Sequence, residues 1–274
     1  MKNNAPIGIF DSGLGGLTVA AAVKELMPEE NIIYLGDTAR VPYGDKSPET
    51  VLRFGCENAE FLAEKGVKII IVACNTVSAL AIDGIRKKFR ENNIKIPLIG
   101  VLEAGVNAIT QQNINKIAVI GTRGTITSNA YTREIHKKSP QTEVTAIACP
   151  LFAPIVEEGL YDHKIAEYAI DIYLNQLKKT PPDALLLGCT HYPLLKKTLK
   201  KYFNDTVQII DSAHSVANLA ENFLNQNSMK NNSTGNNSDK FYVTDSPENF
   251  AKHTENFLNK SIKTVEKVII DKKR

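Results

Sequence analysis

The sequence has no apolar run long enough to cross a membrane. A spanning helix needs roughly 18 apolar residues, and Asp11 interrupts the apolar stretch at 7–10 before a signal-peptide core could form. A basic stripe of the kind that binds nucleic acid is also missing, because the formal charge is +3 and the residues DKKR at 271–274 already supply net +2 of it. These absences predict a cytoplasmic protein with no membrane or nucleic-acid partner.

Closely spaced cysteine pairs and nucleotide motifs are absent as well. The four cysteines form no CxxC pair, and no Cys or His stands at zinc-finger spacing. In a reducing compartment we expect four free thiols. The residues GLGG at 13–16 lack the GxGxxG spacing, and the chain has no Walker lysine. GLGG is therefore only a weak match to a phosphate-binding loop. Two other interpretations stay open: a tight strand-to-helix turn, and a segment that binds a carboxylate.

The chain does contain a regular alternation of short apolar strands, polar turns and helical segments. Its 274 residues, 43% hydrophobic and 23% charged, are ordinary for a globular protein and leave room for two moderate lobes. The alternation runs from residue 6 to 103 and begins again at residue 115. It predicts an α/β fold with two doubly wound parallel-sheet lobes.

Three segments of this pattern carry specific expectations. Residues 96–103 are predicted to form one strand, and residues 155–179 one helix. The Asn/Ser-rich residues 226–240 are predicted to form an exposed, flexible loop that affects surface behaviour only. Residues 241–258 then return as a strand and helix that must join one of the two sheets.

Polar residues follow several of the predicted strands. In open parallel sheets, ligands bind at the carboxyl ends of the strands, so these strand ends are the candidates for a site. Because they come from both halves of the chain, the site would lie in a cleft between the lobes, where a small substrate is usually held. The segments are DSGLGG at 11–16, DTARVPYG at 37–44, CNT at 74–76, GTRGT at 121–125 and CTHY at 189–192.

Two of these strand ends carry a thiol, Cys74 and Cys189. One cysteine after a strand is more often a small buried hydrophobe than a nucleophile, but two equivalent ones, each followed by polar residues, favour function. A thiolate could remove a proton from one face of a carbon while a thiol delivers one to the other, which inverts the stereocentre. Cys56 and Cys149 lack this context and are assigned to structure.

Alternatives remain open for the neighbouring residues. Cys74, Cys189 and His191 could supply three zinc ligands, although a C-x-H spacing is unusual. His191 could instead be a general acid or base, or a hydrogen-bonded surface histidine; an imidazolium there would lower the pKa of the Cys189 thiol. Asp11 could face the cleft or cap the helix that follows it.

Five motifs in order are similar to the signatures of bacterial glutamate racemase, within the cofactor-independent aspartate/glutamate racemase superfamily. They are GIFDSGLGGLTV at 8–19, YLGDTARVPYG at 34–44, VACNTVSA at 72–79, VIGTRGT at 119–125 and LLLGCTHYPLL at 185–195. The likeness runs in register from Ile7 to Asp211, and FYVTDSPENF at 241–250 resembles the C-terminal part. It implies interconversion of L- and D-glutamate, supplying D-glutamate for peptidoglycan, without a metal or any other cofactor.

The resemblance also implies roles for individual residues. Cys74 and Cys189 become the two acid/base groups on opposite faces of the substrate, acting on the D- and the L-enantiomer respectively. Asp11 is expected to assist Cys74, His191 to assist Cys189, and Asp37 to lie near the substrate amino group. The positions that match the family's glutamate-binding residues are Asp11, Ser12, Pro42, Tyr43, Gly44, Asn75, Thr76, Thr122, Thr190 and His191.

Further expectations concern organisation and alternatives. The resemblance implies a first lobe of residues 1–98 with 213–274, a second lobe of residues 99–212, and a homodimer. With six residues before Ile7, activation by a cell-wall precursor is not expected. A racemase of aspartate or of another substrate, and a binding protein that retains this fold without catalysis, stay open.

Overall fold

A computed structural model of the chain describes residues 3–112, 114–231, 238–258, 261–262 and 264–270. Within the predicted Asn/Ser-rich loop, residues 232–237 lie outside the described residues. The described flanks of this loop are attached to the body of the protein. The Asn231 backbone N–H donates to Glu30 at 2.7 Å, and the Asp239 carboxylate accepts from the Ile32 N–H at 3.1 Å.

Two separate parallel sheets form the two lobes, as the alternation predicts. The first sheet contains, among the described residues, β1 Ile7–Asp11, β2 Ile32–Gly36, β3 Ile69–Val72, β4 Leu98–Gly100, β9 Lys240–Val243 and β10 Glu266–Lys267, in the order β10-β9-β2-β1-β3-β4. The second contains β5 Lys116–Gly121, β6 Glu143–Ala148, β7 Ala184–Gly188 and β8 Gln208–Asp211, in the order β6-β5-β7-β8. The returning segment after residue 240 therefore joins the first sheet, where β9 pairs with β2.

Helices cover both faces of each sheet, so the central strands β1, β3 and β7 are fully buried. They are α1 Leu17–Leu26, α2 Pro48–Glu64, α3 Asn75–Leu80, α4 Ile82–Glu91, α5 Val101–Thr110, α6 Arg123–Thr127, α7 Ala130–Lys138, α8 Phe152–Glu157, α9 Lys164–Lys179, α10 Lys196–Tyr202, α11 Ser212–Gln226 and α12 Pro247–Leu258. Short 3₁₀ helices span Thr38–Arg40 and Tyr192–Leu195. Within the described ranges, no helix has the length and apolar content needed to span a bilayer.

One apolar core runs through both lobes. Successive strand residues point to opposite faces of a sheet, and Ile9 of β1 and Leu187 of β7 belong to the same buried cluster. Helix α11 contributes to that cluster and packs against α1 on one side and α5 on the other. The opposite sheet faces have cores of their own, around Phe10 in the first lobe and Val119 in the second. The shared core fixes the strand ends of the two sheets relative to each other.

The predicted strand at 96–103 is wrong in its second half. Only Leu98–Gly100 is a strand, and α5 begins at Val101 directly after Gly100. Glu103 stands in the first turn of α5, where a carboxylate is favoured by the helix dipole. Strand β4 pairs with β3 in the first sheet. The expected lobe boundary after residue 98 therefore falls inside β4.

The predicted helix at 155–179 is also wrong as a single element. It divides into α8, which ends at Glu157, and α9, which begins at Lys164. Gly159 adopts a φ of 72°, which glycine tolerates and which ends a helix. The His163 side chain then accepts from the Ile165 N–H at 3.2 Å and caps α9. This break leaves Glu157 at the end of a short helix rather than in the middle of a long one.

Candidate active site

The segments that follow β1, β3, β5 and β7 converge on one cavity of about 290 Å³. Its wall therefore comes from both sheets, as expected for strand ends facing each other across a cleft. Gly13 and Val41, from two of the predicted strand-end segments, also line it, and so do Ala153, Pro154 and Glu157, which the sequence did not indicate. The sequence-predicted residues in the wall are Ser12, Pro42, Tyr43, Gly44, Cys74, Asn75, Thr76, Thr122, Cys189, Thr190 and His191.

Cys74 occupies the first-lobe side of the cavity. It precedes the first residue of α3 and is 5% exposed. Its Sγ lies 3.9 Å from the Ser12 hydroxyl oxygen. Burial, and then the negative charge of Asp11, raise the pKa of the Cys74 thiol to about 12. At neutral pH the Cys74 thiol is therefore protonated.

Asp11 does not line the cavity but is fully buried behind it. One carboxylate oxygen accepts from the N–H groups of Gly13 at 3.1 Å and Gly16 at 3.0 Å, just before α1 begins. Burial raises the pKa of Asp11, and the charge of His191 and these N–H donors only partly offset that rise. The N-cap of α1 is Gly16 rather than Asp11, so the carboxylate holds the turn before the helix, and its other oxygen accepts from the Thr190 hydroxyl at 3.4 Å. Asp11 acts on Cys74 through its charge, since no hydrogen bond joins these two described residues.

Cys189 occupies the second-lobe side and has a different set of partners. Its Sγ lies 3.7 Å from His191 Nδ1, and His191 Nε2 lies 2.8 Å from a carboxylate oxygen of Glu157. Burial alone would lower the pKa of His191, but hydrogen bonds to Cys189 and Glu157, together with their charges, raise it to about 10. The imidazole is therefore positively charged at neutral pH, held between a thiol and a carboxylate.

Glu157 completes this second set, and its own pKa is lowered. Burial opposes the lowering, and the hydrogen bond from His191 and the positive charge of His191 outweigh it. No strand-end motif contains Glu157, and its place in a predicted long helix concealed it. The break between α8 and α9 brings its carboxylate to His191.

Asp37, like Asp11, is fully buried and stands outside the cavity wall. It accepts hydrogen bonds from the Tyr43 hydroxyl, from Arg40 Nε at 2.7 Å and from the Thr244 hydroxyl at 2.8 Å. Burial and the charge of Asp37 raise the pKa of Tyr43, so its hydroxyl stays protonated. Asp37 thus anchors the segment that carries Tyr43 and the cis peptide bond Val41–Pro42, and its expected role near the substrate amino group stays a prediction.

Asn75 presents a hydrogen-bond donor at the cavity. Its Oδ1 accepts from the Tyr131 hydroxyl at 2.6 Å, whereas its Nδ2 is buried and has no hydrogen-bond partner in the described part of the chain. A buried amide left in this way costs about 1–3 kcal/mol unless a ligand accepts from it. Beside it, the hydroxyls of Thr76 and Thr122 lie 3.0 Å apart. This part of the wall suits a carboxylate.

Two glycines allow the lobes to approach each other at the cavity. A Cβ on Gly15 would lie 2.3 Å from the Thr190 hydroxyl oxygen and 2.6 Å from the His191 ring. A Cβ on Gly44 would lie 2.8 Å from Thr122, and the Gly44 carbonyl accepts from the Gly124 N–H at 2.8 Å. Gly15 of the GLGG segment thus permits close contact between the lobes.

The other two cysteines lie away from the cavity. Cys56 and Cys149 are buried and do not line the cavity, and all four cysteines are free. Over the described ranges, no three His, Cys, Asp or Glu side chains are grouped as metal ligands, and this applies to Cys74, Cys189 and His191.

Comparison with known proteins gives consistent matches over nearly the whole chain. The family profile described as Asp/Glu/Hydantoin racemase matches residues 17–220. The curated glutamate racemase of Geobacter metallireducens is 40% identical over 97% of both chains, and that of Chlorobaculum parvum is 43% identical over 98% of this chain and 97% of its own. The crystal structure of Francisella tularensis glutamate racemase in complex with D-glutamate is similar with a TM-score of 0.90 and 40% identity, covering 98% of this chain and 99% of the other.

Proposed function

Because the chain belongs to the Asp/Glu/hydantoin racemase family, and is an amino-acid racemase by that membership, we propose that it interconverts L- and D-glutamate. The observation that carries this proposal is a single cavity with Cys74 of the first lobe and Cys189 of the second in its wall. The relatives from Geobacter metallireducens and Chlorobaculum parvum, about 40% identical over nearly full length, are glutamate racemases, which supports glutamate as the substrate.

The proposed reaction moves one proton on each face of the substrate α-carbon. One thiolate takes the α-proton, so that the C–H bond breaks and an S–H bond forms. The opposite thiol then gives its proton to the other face of the carbanion and becomes the thiolate. Each turnover therefore exchanges the protonation states of the two cysteines, and the reverse turnover restores them. The thiols perform both transfers, so the reaction needs neither a metal nor an organic cofactor.

The surroundings of the thiols support opposite starting states. Cys74, with a pKa raised to about 12, starts as the acid. Cys189 lies 3.7 Å from the imidazole of His191, whose positive charge stabilises a thiolate beside it. In this form Cys189 is the base and Cys74 the acid, and the opposite enantiomer requires the opposite form.

The carboxylate-binding side of the cavity would stabilise the carbanion. Negative charge develops on the α-carboxylate as the proton leaves, and fixed donors in a dry site stabilise such charge strongly. Asn75 Nδ2 is the buried donor without a protein partner, and the hydroxyls of Thr76 and Thr122 lie nearby. We assign these groups to the substrate carboxylates. The product would supply D-glutamate for peptidoglycan in the cytoplasm, and we expect a homodimer.

The test is solvent isotope incorporation. Purified protein is incubated in D₂O with L-glutamate and, separately, with L-aspartate, without added cofactor. We expect deuterium at the α-carbon of glutamate together with appearance of D-glutamate, and no change in aspartate. Exchange in aspartate instead of glutamate would replace the substrate, and exchange in neither would overturn the proposal. A double variant, Cys74→Ala with Cys189→Ala, controls for contaminating racemases.

A further inference from the structure

Helix α12 lies against both halves of the active site. Phe250 and Phe257 are two helical turns apart on α12, so both point to the same side of it. Phe250 is 2% exposed and Phe257 is 5% exposed. Each of them contacts a different aromatic group, and these two groups belong to different lobes.

Phe257 packs against the imidazole of the second lobe. The rings of Phe257 and His191 meet edge to face, with centroids 6.0 Å apart and an interplanar angle of 86°. Such aromatic contacts have a preferred geometry and so restrict how a ring can turn. The orientation of His191 matters, because one ring nitrogen meets Cys189 and the other meets Glu157. One turn earlier on α12, the charge of His253 also acts on Glu157.

Phe250 packs against the first lobe. Its ring contacts that of Tyr34 with centroids 5.9 Å apart. The Tyr34 hydroxyl donates to the Gly13 carbonyl at 2.6 Å, which fixes the segment next to Ser12. Ser12 in turn is the hydroxyl neighbour of Cys74. The space around Phe250 is tight, since a Cβ on Gly36 would lie 3.2 Å from its ring.

We infer that α12 is a positioning element for both proton transfers, with Phe257 orienting His191 beside Cys189 and Phe250 fixing, through Tyr34, the segment beside Cys74. This inference rests on the proposed racemase function. Neither phenylalanine lines the cavity, so neither is a catalytic residue. The consequence is that each one should affect one proton transfer more than the other.

Rates alone would not reveal this difference. The two enantiomers of a racemase have equal free energies in solution, so kcat/KM must be the same in both directions for every variant. A primary isotope effect does separate the two transfers. If one transition state becomes harder to reach, the enantiomer deprotonated in that step shows a larger isotope effect from α-deuterium, and the opposite enantiomer shows a smaller one.

The experiment compares Phe257→Leu with Phe250→Leu, each serving as the control for the other. Both changes remove a buried ring from the same face of the same helix. We expect kcat/KM to fall about threefold to tenfold in each, the range that loss of an aromatic contact implies. With α-deuterated L- and D-glutamate, the isotope effects should shift in opposite directions in the two variants relative to wild type.

The outcomes separate this inference from the proposed function. If the wild type does not racemise glutamate, the proposed function fails. If the wild type is active but both variants lose activity with unchanged isotope effects, or with shifts in the same direction, α12 is only a structural support and the inference is overturned. Should a leucine variant fail to fold by circular dichroism, Phe257→Met and Phe250→Met keep more of the side-chain volume and are measured in the same way.

Discussion

The two halves of the proposed active site share a backbone design but differ in their electrostatics. In each, an apolar strand of a parallel sheet ends at a buried thiol, 5% exposed at Cys74 and 6% at Cys189. Behind Cys74 lies a carboxylate, Asp11, and beside it a neutral hydroxyl. Beside Cys189 lies the imidazole of His191, whose pKa is raised by its contacts with Cys189 and Glu157. The sheet therefore sets the position of each thiol, and the neighbouring side chains set the electrostatic surroundings of that thiol.

Removing each thiol in turn should have the largest effect and tests whether both halves of the site are needed. Cys74→Ala and Cys189→Ala should each reduce racemisation by about 10²–10⁴-fold, the usual contribution of one acid/base group. Their equal loss would show that both halves are needed, whereas normal turnover in either variant would refute a two-thiol mechanism. The measurement is circular dichroism of the glutamate enantiomers, with Cys56→Ala as the control for loss of a buried thiol outside the cavity.

Glu157→Gln should change the electrostatic surroundings of Cys189 in the second lobe and leave those of Cys74 unchanged. The amide keeps the size of the side chain but removes the charge that helps to raise the pKa of His191. His191 then loses its proton at lower pH, so the alkaline limb of kcat/KM should move toward neutral pH, with activity down roughly tenfold at high pH. Activity near pH 6 should change less, because there the imidazole is still protonated. An unshifted pH profile would contradict the role given to Glu157.

Tyr131→Phe tests the carboxylate-binding wall between the halves. The change removes the hydroxyl that donates to Asn75 Oδ1 and frees the amide to turn away from the substrate. Loss of one such hydrogen bond is worth about 1 kcal/mol, so we expect kcat/KM to fall about fivefold, because the amide holds the carboxylate on which charge develops. Steady-state kinetics in both directions would measure this fall. An unchanged kcat/KM would contradict the role given to the contact between Tyr131 and Asn75.

Asp11→Asn changes the surroundings of Cys74 in the first lobe. Among these variants it should have the smallest effect. The negative charge of Asp11 raises the pKa of Cys74, so its removal should lower that pKa and speed alkylation of Cys74 at a fixed pH. An increase of severalfold is expected, since a charge acting through protein at this range is worth about 1 kcal/mol. Iodoacetamide labelling with peptide mapping reports each cysteine separately. Slower labelling of Cys74 would reverse the sign assigned to Asp11.

The strand ends and both thiols could be predicted from the sequence because their signal is local. An apolar run that stops at a polar residue can be recognised within about ten residues of sequence, and parallel sheets bring such strand ends together. Long-range partners leave no such signal. Glu157 required a helix break at Gly159, and the contact between Tyr131 and Asn75 joins residues 56 positions apart. The sequence indicated that Asp11 and Asp37 belong near the site. Only the packing shows that both lie behind the cavity wall rather than in it.

The pairing of β9 with β2 has a consequence for how the protein is made. Ile32 and Asp239, hydrogen-bonded beside this pair, are 207 positions apart. A ribosome adding about 5–20 residues per second needs roughly 10–40 s to cover that distance. During this time the nascent first lobe has an open edge at β2, and an open edge is a site for pairing with other chains. Strand β9 covers the edge of β2, and α12 follows β9 directly, so the nascent chain closes this edge and brings α12 to the proposed active site at nearly the same time.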